Sequence, residues 1–416
     1  MARLLYNLLL SCLFPLLLAW LYWPRGRAGF GAKGREHFGL GPSLGQVDIW
    51  VHAVSVGEVI AALPLLKQVL AEDPHKRILV TTSSRTGYDR VNEALGDDVL
   101  HSYAPYDLWP LVWGFFRRLE ARELWIMETE LWPNTLAFAD KRGIRVSLVN
   151  ARLSEKSFRQ YLRVRPLARD LMRRLDQVLV QTEAEGERFL ALGLEAKRLH
   201  VTGSIKFDIQ VDEAVREQGR ALRAGFGQRP VWIAASTHDG EDALLLEAHK
   251  RLLSDYPRAL LVLVPRHPER FDRVATLIEE QQLAYVRRSS GEDVSLNEQL
   301  YLGDTMGEML VLLGAADLAV MGGSLVPVGG HNLLEPAALA LPTLIGPHYF
   351  NFQEITLGLV AAGNCKLTSA ESLAGDIRDL LVDPARRSAA GEAGLRVVRA
   401  NQGALARTLS LLLLAE

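Results

Sequence analysis

The sequence predicts an α/β protein built from two doubly wound domains, each with a parallel sheet covered by helices. Short runs rich in Val, Ile and Leu alternate with longer segments of helical spacing, which is typical of parallel βα units. The alternation occurs twice, and a charged, strand-poor stretch at 211–228 separates the two series. A length of 416 residues also exceeds what one hydrophobic core usually serves.

The predicted strands fix where we expect ligands to bind. Ligands in doubly wound folds lie beyond the carboxyl ends of the strands, so we expect a cleft between the two domains, lined by the loops that follow the strands. The predicted strands are 47–54, 77–82, 123–127, 145–149, 177–181 and 199–201 in the first domain, and 231–235, 259–265, 299–302, 318–322 and 343–345 in the second.

The N-terminal segment from Leu4 to Trp23 is almost wholly apolar and has the length of a membrane-spanning helix. Because no small-residue cleavage site follows it, a membrane anchor is favoured over a cleaved signal peptide. Arg3 alone precedes the segment and several cations follow it, which predicts that the body of the protein lies on the cytoplasmic side. Whether the segment spans the bilayer or lies in one leaflet stays open. The cations are Arg25, Arg27, Lys33 and Arg35, and the aromatic residues expected at the interface are Trp20, Tyr22 and Trp23.

We therefore divide the chain into an anchor at 1–24, a first domain at 25–210 and a second domain at 211–416 that includes the C-terminal helix. The net charge of −2 argues against a nucleic-acid binder, which usually carries a strong basic excess. Two cysteines outside any CxxC pair predict neither a disulfide framework nor a metal site. The chain also lacks the glycine-rich signatures of ATPases and dinucleotide-binding domains.

Acidic residues follow two predicted strands of the first domain. Glu58 lies in the first turn of a helix after the first strand, where it is a candidate general base or a stabiliser of the helix dipole. Glu128 and Glu130 follow a later strand as possible acid and base partners, or as solvated or capping residues. Lys206 closes the first half and could neutralise a departing phosphate, unless it simply pairs with Asp208.

Anion-binding features follow the strands of the second domain. Arg266 has the side chain best suited to anions and planar rings, whereas His267 is interpreted as a turn or hydrogen-bonding residue. The glycine-rich stretches at 322–324 and 329–336 precede an apolar helix, and their backbone N–H groups predict an anion site. Glu335 could hold ribose hydroxyl groups, which favours a nucleotide that carries a sugar.

Together these motifs resemble the 3-deoxy-D-manno-octulosonic acid (Kdo) transferases over nearly the whole chain. The resemblance implies a GT-B fold, with an acceptor-binding first domain and a second domain that binds CMP-Kdo. The motifs that carry it are SVGE at 55–58, METELWPN at 127–134, NARLS at 150–154, TGSIKFD at 202–208, STH at 236–238, PRHPER at 265–270, GDTMGEM at 303–309 and GGHNLLEP at 329–336.

The resemblance also implies roles for individual residues. Glu58 would be the base that deprotonates the acceptor hydroxyl, and Glu128 and Lys206 would stabilise the transition state. Leu333 stands where a proline is expected, which alters the rigidity of its loop. The residues that would hold CMP are Pro265, Arg266, Met306, Gly307, Glu308, Asn332, Leu333, Leu334 and Glu335.

The implied reaction is an inverting transfer of Kdo from CMP-Kdo to a lipid A precursor, lipid IVA, at the bacterial inner membrane, without cofactor or metal. Two alternatives stay open. One is a GT-B transferase that uses a UDP-sugar and a lipid-linked acceptor, and the other is a non-catalytic membrane protein that binds a nucleotide sugar. The segment 152–174 is unusually basic and predicts a patch for lipid headgroups and acceptor phosphates, although a solvated helix surface would show the same pattern.

Overall fold

The computed structural model describes residues 2–22 and 31–413. The chain separates into two compact units: unit 1 extends to Asp208 and resumes at Gly403, and unit 2 is Ile209–Gln402. The predicted interfacial residue Trp23 and the predicted cations Arg25 and Arg27 lie outside the described residues.

Unit 1 contains a parallel seven-stranded sheet with the order β3-β2-β1-β4-β5-β6-β7. Helices cover both faces, so the strands are buried on both sides and consist of continuous apolar runs. The strand order reverses between β1 and β4, which is the position where doubly wound sheets bind their ligands. The strands are β1 Gly45–His52, β2 Ile78–Thr82, β3 Leu100–Tyr103, β4 Leu119–Met127, β5 Arg145–Ala151, β6 Gln177–Val180 and β7 Leu199–Val201.

The helices of unit 1 connect these strands. Ser55, Ser84, Ser154 and Thr182 cap four of them through side-chain oxygens that accept backbone N–H groups of the first turn. The helices are α1 Ala2–Tyr22, α2 Val56–Glu72, α3 Arg85–Leu95, α4 Trp109–Phe116, α5 Pro133–Lys141, α6 Glu155–Arg163, α7 Arg165–Arg173 and α8 Glu183–Leu192.

The N-terminal helix α1 is joined to unit 1 by polar contacts. The Tyr6 hydroxyl donates to Asp107 Oδ2 at 3.0 Å, and Asn134 Nδ2 donates to Asn7 Oδ1 at 2.6 Å. Phe14 packs edge-on against Tyr106. A search of the described helices for a membrane-spanning segment of sufficient length and apolarity finds none.

Unit 2 contains a second parallel seven-stranded sheet with the order β10-β11-β9-β8-β12-β13-β14, and its order reverses between β8 and β12. Its central strands are buried along their whole length in the core of the unit. The strands are β8 Val231–Thr237, β9 Leu260–Pro265, β10 Tyr285–Arg287, β11 Leu300–Leu302, β12 Leu318–Met321, β13 Thr343–Ile345 and β14 Cys365–Leu367. The helices are α9 Glu213–Phe226, α10 Glu241–Asp255, α11 Phe271–Glu280, α12 Met309–Gly314, α13 Leu334–Ala338, α14 Gln353–Ala361, α15 Leu373–Val382 and α16 Pro384–Asn401.

The last helix, α17 (Ala404–Leu413), packs in unit 1, whereas the sequence-based division assigned it to the second domain. Asp208 explains the attachment, because its carboxylate accepts the backbone N–H groups of Gly403 and Leu405 at 2.5 Å each. Leu409 and Leu412 then enter the same core cluster as the residues of β1 and α2. The chain thus returns to unit 1 through a capped helix start and an apolar helix face.

Candidate active site

Glu58 lies at the point where the strand order of unit 1 reverses, in the first turn of the helix that follows β1. Ser55 caps this helix, because its Oγ accepts the Glu58 N–H at 3.3 Å. The Glu58 carboxylate accepts the Ser55 hydroxyl at 2.8 Å and the Val54 N–H at 2.8 Å. Only 6% of the residue is exposed. The carboxylate therefore stabilises the start of the helix, the structural role that the sequence allowed for Glu58.

Burial raises the pKa of Glu58 from 4.5 to about 7. The hydrogen bonds from Ser55 and Val54 oppose this rise, whereas the charges of Glu130 and Glu128 add to it. Glu128 and Glu130 therefore lie close enough to Glu58 for their charges to affect its protonation. A carboxylate with a pKa near 7 has the proton affinity that a general base requires at neutral pH.

Glu128 and Lys206 form an ion pair between loops that are distant in sequence. Lys206 Nζ lies 2.9 Å from Glu128 Oε1, and Arg152 Nη1 lies 3.9 Å from Glu128 Oε2. Lys206 thus pairs with Glu128 and not with Asp208, which caps α17. The neighbouring Glu130 accepts the indole N–H of Trp132 at 2.9 Å, and burial raises its pKa. We refer to Glu58, Glu128, Glu130 and Lys206 as the acid site.

Asn150 holds the two loops of this ion pair together, a role that the sequence did not reveal. Its backbone has φ +53°, in the left-handed region, and its side chain is fully buried. Its Oδ1 accepts the N–H of Ile205, next to Lys206, at 3.1 Å. The preceding carbonyl, that of Val149, accepts the N–H of Glu128 at 2.9 Å. The only sign in the sequence is an asparagine directly after a strand, because asparagine tolerates the left-handed conformation.

We expect Asn150→Ala to weaken both stability and activity. Loss of Oδ1 leaves the buried Ile205 N–H without its acceptor, at a cost of about 1–3 kcal/mol of unfolding free energy. The alanine also strains the left-handed backbone, whereas Asn150→Gly removes the same hydrogen bond without that strain. Denaturant unfolding and kcat/KM for transfer should both decline in the order wild type, glycine variant, alanine variant. Equal activity in all three would show that Asn150 does not position Lys206.

In unit 2, several residues proposed for CMP binding surround the carboxyl ends of the strands. Pro265 ends β9 and Arg266 is exposed directly after it. Asn332 Nδ2 donates to Glu335 Oε1 at 3.4 Å. Burial raises the pKa of Glu335, while this hydrogen bond and the positive charge of Arg266 lower it. The side chains of Arg266, Asn332 and Glu335 therefore lie close together.

The other residues proposed to bind CMP differ in their exposure and in the contacts they already make. Met306 is 58% exposed and Gly307 has φ +82°, so this loop presents an open surface. Glu308 forms a bidentate ion pair with Arg288, with N–O distances of 2.8 and 3.1 Å. The side chains of Leu333 and Leu334 are fully buried in the core. The N–H of Leu334 donates to Asn332 Oδ1 at 3.1 Å, so this backbone group is already occupied within the protein.

Part of the backbone anion site expected from the glycine-rich loop is filled by the protein itself. The buried carboxylate of Glu241 accepts the N–H groups of Gly323, Ser324 and Leu325 at 2.6–2.9 Å. It also accepts the His238 N–H at 2.8 Å. Glu241 therefore ties the loop after β12 to the loop after β8, and this segment has no N–H groups left for a phosphate at those three positions.

Three histidines lie at the same edge of unit 2. His238 follows β8, His267 follows β9 and His331 follows the glycine-rich turn after β12. The Nε2 atoms of His238 and His331 are 2.8 Å apart, and the ring centroids of His238 and His267 are 5.3 Å apart. We refer to Arg266 and these three histidines as the basic edge. Their convergence is invisible in the sequence, because 93 positions separate the two hydrogen-bonded histidines.

Comparisons with known proteins identify the family of the chain. Residues 28–209 match the family model described as 3-deoxy-D-manno-octulosonic-acid transferase (kdotransferase). The chain is 41% identical to the 3-deoxy-D-manno-octulosonic acid transferase of Haemophilus influenzae, over 88% of this chain and 86% of the relative. It is 37% identical to the enzyme of that name from Bordetella pertussis, over 99% of both chains.

Among the similar solved structures, one with a TM-score above 0.5 supports the fold. The chain is similar to Anabaena Alr3699/HepE in complex with UDP, with a TM-score of 0.53 and 16% identity over 89% of this chain and 100% of that one. It is also similar to the C-terminal CMP-Kdo binding domain of WaaA from Acinetobacter baumannii, with 33% identity and a TM-score of 0.44 over 45% of this chain and 100% of that domain. The sequence relatives decide the classification: the chain belongs to the 3-deoxy-D-manno-octulosonic acid transferases and is a glycosyltransferase.

Proposed function

We propose that the protein transfers Kdo from CMP-Kdo to a lipid A precursor, lipid IVA, with inversion at the anomeric carbon. Its membership of the Kdo transferases supports the transferred sugar. The observation that carries the mechanism is the acid site, where a buried carboxylate with a pKa of about 7 lies beside an ion pair at the reversal point of the sheet.

In the proposed reaction, Glu58 accepts the proton of an acceptor hydroxyl as the oxygen attacks the anomeric carbon of Kdo. The bond from that carbon to the phosphate oxygen breaks, and CMP leaves with the bonding electrons. Glu58 ends the step protonated and CMP carries the negative charge. We assign the Glu128–Lys206 pair to stabilisation of the charge that develops in the transition state, because the carboxylate fixes the ammonium group at 2.9 Å.

The donor is assigned to unit 2. There Arg266 supplies a cation for the phosphate, and Asn332 and Glu335 supply groups for ribose hydroxyls. These residues would therefore bind the phosphate and ribose of CMP, as predicted from the sequence.

Mass spectrometry of the lipid product tests this function. The full-length protein is incubated with CMP-Kdo and a tetraacylated lipid A precursor, and we expect the precursor to gain Kdo while CMP appears in solution. Turnover of a UDP-sugar in place of CMP-Kdo would establish the alternative transferase. Binding of CMP-Kdo without any lipid product would establish a non-catalytic nucleotide-sugar-binding protein.

We also propose that α1 and the basic helices α6 and α7 attach unit 1 to the inner membrane. One face of α1 is fixed by Tyr6 and Asn7, while five of its leucines are 49–72% exposed. Such a helix suits an interfacial position with its apolar face in the acyl boundary. Exposed cations on α6 and α7 would contact anionic headgroups. The exposed leucines are Leu4, Leu5, Leu8, Leu9 and Leu13, and the exposed cations are Lys156, Arg159, Arg163, Arg165, Arg169 and Arg173.

Reversal of charge at Arg159, Arg163 and Arg173 should weaken vesicle binding. Each cation near an anionic surface contributes about 1 kcal/mol, so the triple glutamate variant should bind vesicles that contain anionic lipid at least about 100-fold more weakly. Co-sedimentation at low and high salt measures this, with Leu5→Gln/Leu9→Gln as a variant that removes apolar contact and retains the charges. Unchanged binding of both variants would contradict this mode of attachment.

A further inference from the structure

Two histidines of the basic edge, His238 and His331, follow β8 and β12, the strands between which the order of unit 2 reverses. His238 and His331 are both half-buried, and their rings are nearly parallel, with centroids 5.0 Å apart. Within the described part of the chain, no group of three or more His, Cys, Asp or Glu residues is arranged to hold a metal ion. The Nε2 atoms, 2.8 Å apart, are instead at hydrogen-bond distance from each other.

This contact fixes the protonation of the two neutral rings. Only one proton fits between two Nε2 atoms, so one ring donates through Nε2–H and the other accepts. A neutral imidazole carries a single N–H, so the accepting ring carries its proton on Nδ1. The neutral pair therefore offers one outward Nδ1–H donor, and uptake of one more proton gives two donors and a positive charge.

The Nδ1 atoms of the pair are free to meet a ligand. Among the described residues, neither Nδ1 has a hydrogen-bond partner in the protein, and neither is enclosed in the interior. By contrast, the fully buried His249 has partners on both ring nitrogens, Trp232 Nε1 and the Gln299 carbonyl. His238 and His331 thus each keep one ring nitrogen, Nδ1, that can bind a ligand, whereas both ring nitrogens of His249 are occupied.

The charges around the pair favour an anion. Arg266 and His267 lie near both rings, and Arg270 lies near His238. Among the acidic neighbours, Glu241 accepts backbone N–H groups, Asp242 pairs with Arg270, and Glu269 Oε1 lies 4.0 Å from His267 Nδ1. Burial lowers the pKa of His331 to about 4, and neighbouring cations add to this effect. Burial also lowers the pKa of His238; the charge of Glu241 opposes this shift, and the neighbouring cations add to it. The pair is therefore neutral at pH 7 until an anion compensates an added proton.

We propose that His238 and His331, with His267 beside them, bind the carboxylate of the donor's acidic sugar and take up a proton when they do so. This inference rests on the proposed donor. The transferred sugar is an octulosonic acid, so its carboxylate is the one anionic group that CMP itself lacks. The pair lies outside the residues assigned to CMP. It adjoins them through Arg266, whose positive charge lowers the pKa of both Glu335 and His331.

Two glutamine variants and two nucleotides test this inference. Glutamine places its amide near the position of Nε2 and removes the Nδ1 donor, so His238→Gln and His331→Gln retain the contact within the pair. Calorimetry with the full-length protein should show CMP-Kdo binding weakened at least tenfold and CMP binding changed less than twofold. His75→Gln, at an exposed turn of unit 1, is the control and should bind both ligands like wild type.

The pH dependence supplies an independent measurement. Because the ligand stabilises the protonated pair, the affinity for CMP-Kdo should rise as the pH falls from 8 to 6, and the titration heat in different buffers should show net proton uptake. CMP should show less of either effect, and the glutamine variants should lose the difference between CMP-Kdo and CMP.

Each other outcome has a distinct meaning. Equal weakening of CMP and CMP-Kdo would overturn the inference in favour of a phosphate site, and unchanged binding of both would overturn any ligand role. If a variant in the half-buried pair fails to fold, His267→Gln replaces it, because that side chain is 47% exposed. This variant should bind CMP-Kdo two- to fivefold more weakly than wild type and should bind CMP like wild type. If its affinities for CMP-Kdo and CMP both equal those of wild type, the inference is contradicted. Because calorimetry needs no acceptor, histidine-dependent CMP-Kdo binding without lipid product would refute the proposed function alone.

Discussion

Glu58→Gln should reduce kcat/KM for Kdo transfer about 10²- to 10⁴-fold, the usual contribution of a general base. Glutamine can still accept a hydrogen bond from the Val54 N–H or the Ser55 hydroxyl, so the helix start should survive. Initial rates of lipid product formation measure the effect. The matched control is Glu72→Gln, the same chemical change at an exposed position of the same helix, which should keep wild-type activity.

The same substitution should stabilise unit 1 at high pH. The folded pKa of Glu58, about 7, lies above its ordinary value of 4.5, so the folded state holds the proton more tightly than the unfolded state. This contribution to stability is fully present below pH 4.5 and is lost as the pH rises to about 7, a difference of about 3 kcal/mol. Above pH 7 the glutamine variant should therefore unfold at higher denaturant concentration than wild type. A variant that is both less active and less stable at pH 8 would indicate a purely structural glutamate.

Glu241→Gln should have the second largest effect, this time on unit 2. The carboxylate accepts four backbone N–H groups, at 2.6–2.9 Å, from the loops after β8 and β12. An amide presents an NH₂ group to some of these donors, and each lost hydrogen bond to a charged group costs about 1.5–3 kcal/mol. We expect a loss of about 3–6 kcal/mol in the unfolding free energy of unit 2 and a corresponding weakening of CMP binding.

Denaturant unfolding and hydrogen exchange at residues 323–325 measure the effect of Glu241→Gln. The control is Glu247→Gln on the same helix, where the side chain is 56% exposed and pairs with Arg251. Unfolding and exchange that match wild type in both variants would show that the glycine-rich loop does not depend on Glu241.

The α/β architecture was predictable because its central strands consist of continuous runs of apolar residues. The strands that the sequence did not reveal are β3, β10 and β14, which lie at sheet edges and are three or four residues long. Each contains polar residues, such as His101 and Ser102 in β3, so they lack the continuous apolar signal of a strand buried on both faces. The membership of α17 in unit 1 was equally hidden, because it depends on Asp208 capping a helix nearly two hundred residues away.

The candidate site was predictable one residue at a time but not as a set of contacts. Glu58 follows a strand that borders the reversal point, and this position together with the family motif singled it out. The Glu128–Lys206 pair spans 78 positions and the His238–His331 contact spans 93, so neither has a local pattern. The Glu241 contacts were missed for the same reason, although a first-turn glutamate after a strand is the kind of residue that binds nearby N–H groups.

The pH dependence of kcat/KM for transfer tests the central claim most directly. If Glu58 must lose its proton before it accepts one from the acceptor, kcat/KM should fall tenfold per pH unit below an apparent pKa near 7, and this limb should vanish in Glu58→Gln. An acidic limb that persists in the glutamine variant with the same apparent pKa would show that another group is the base.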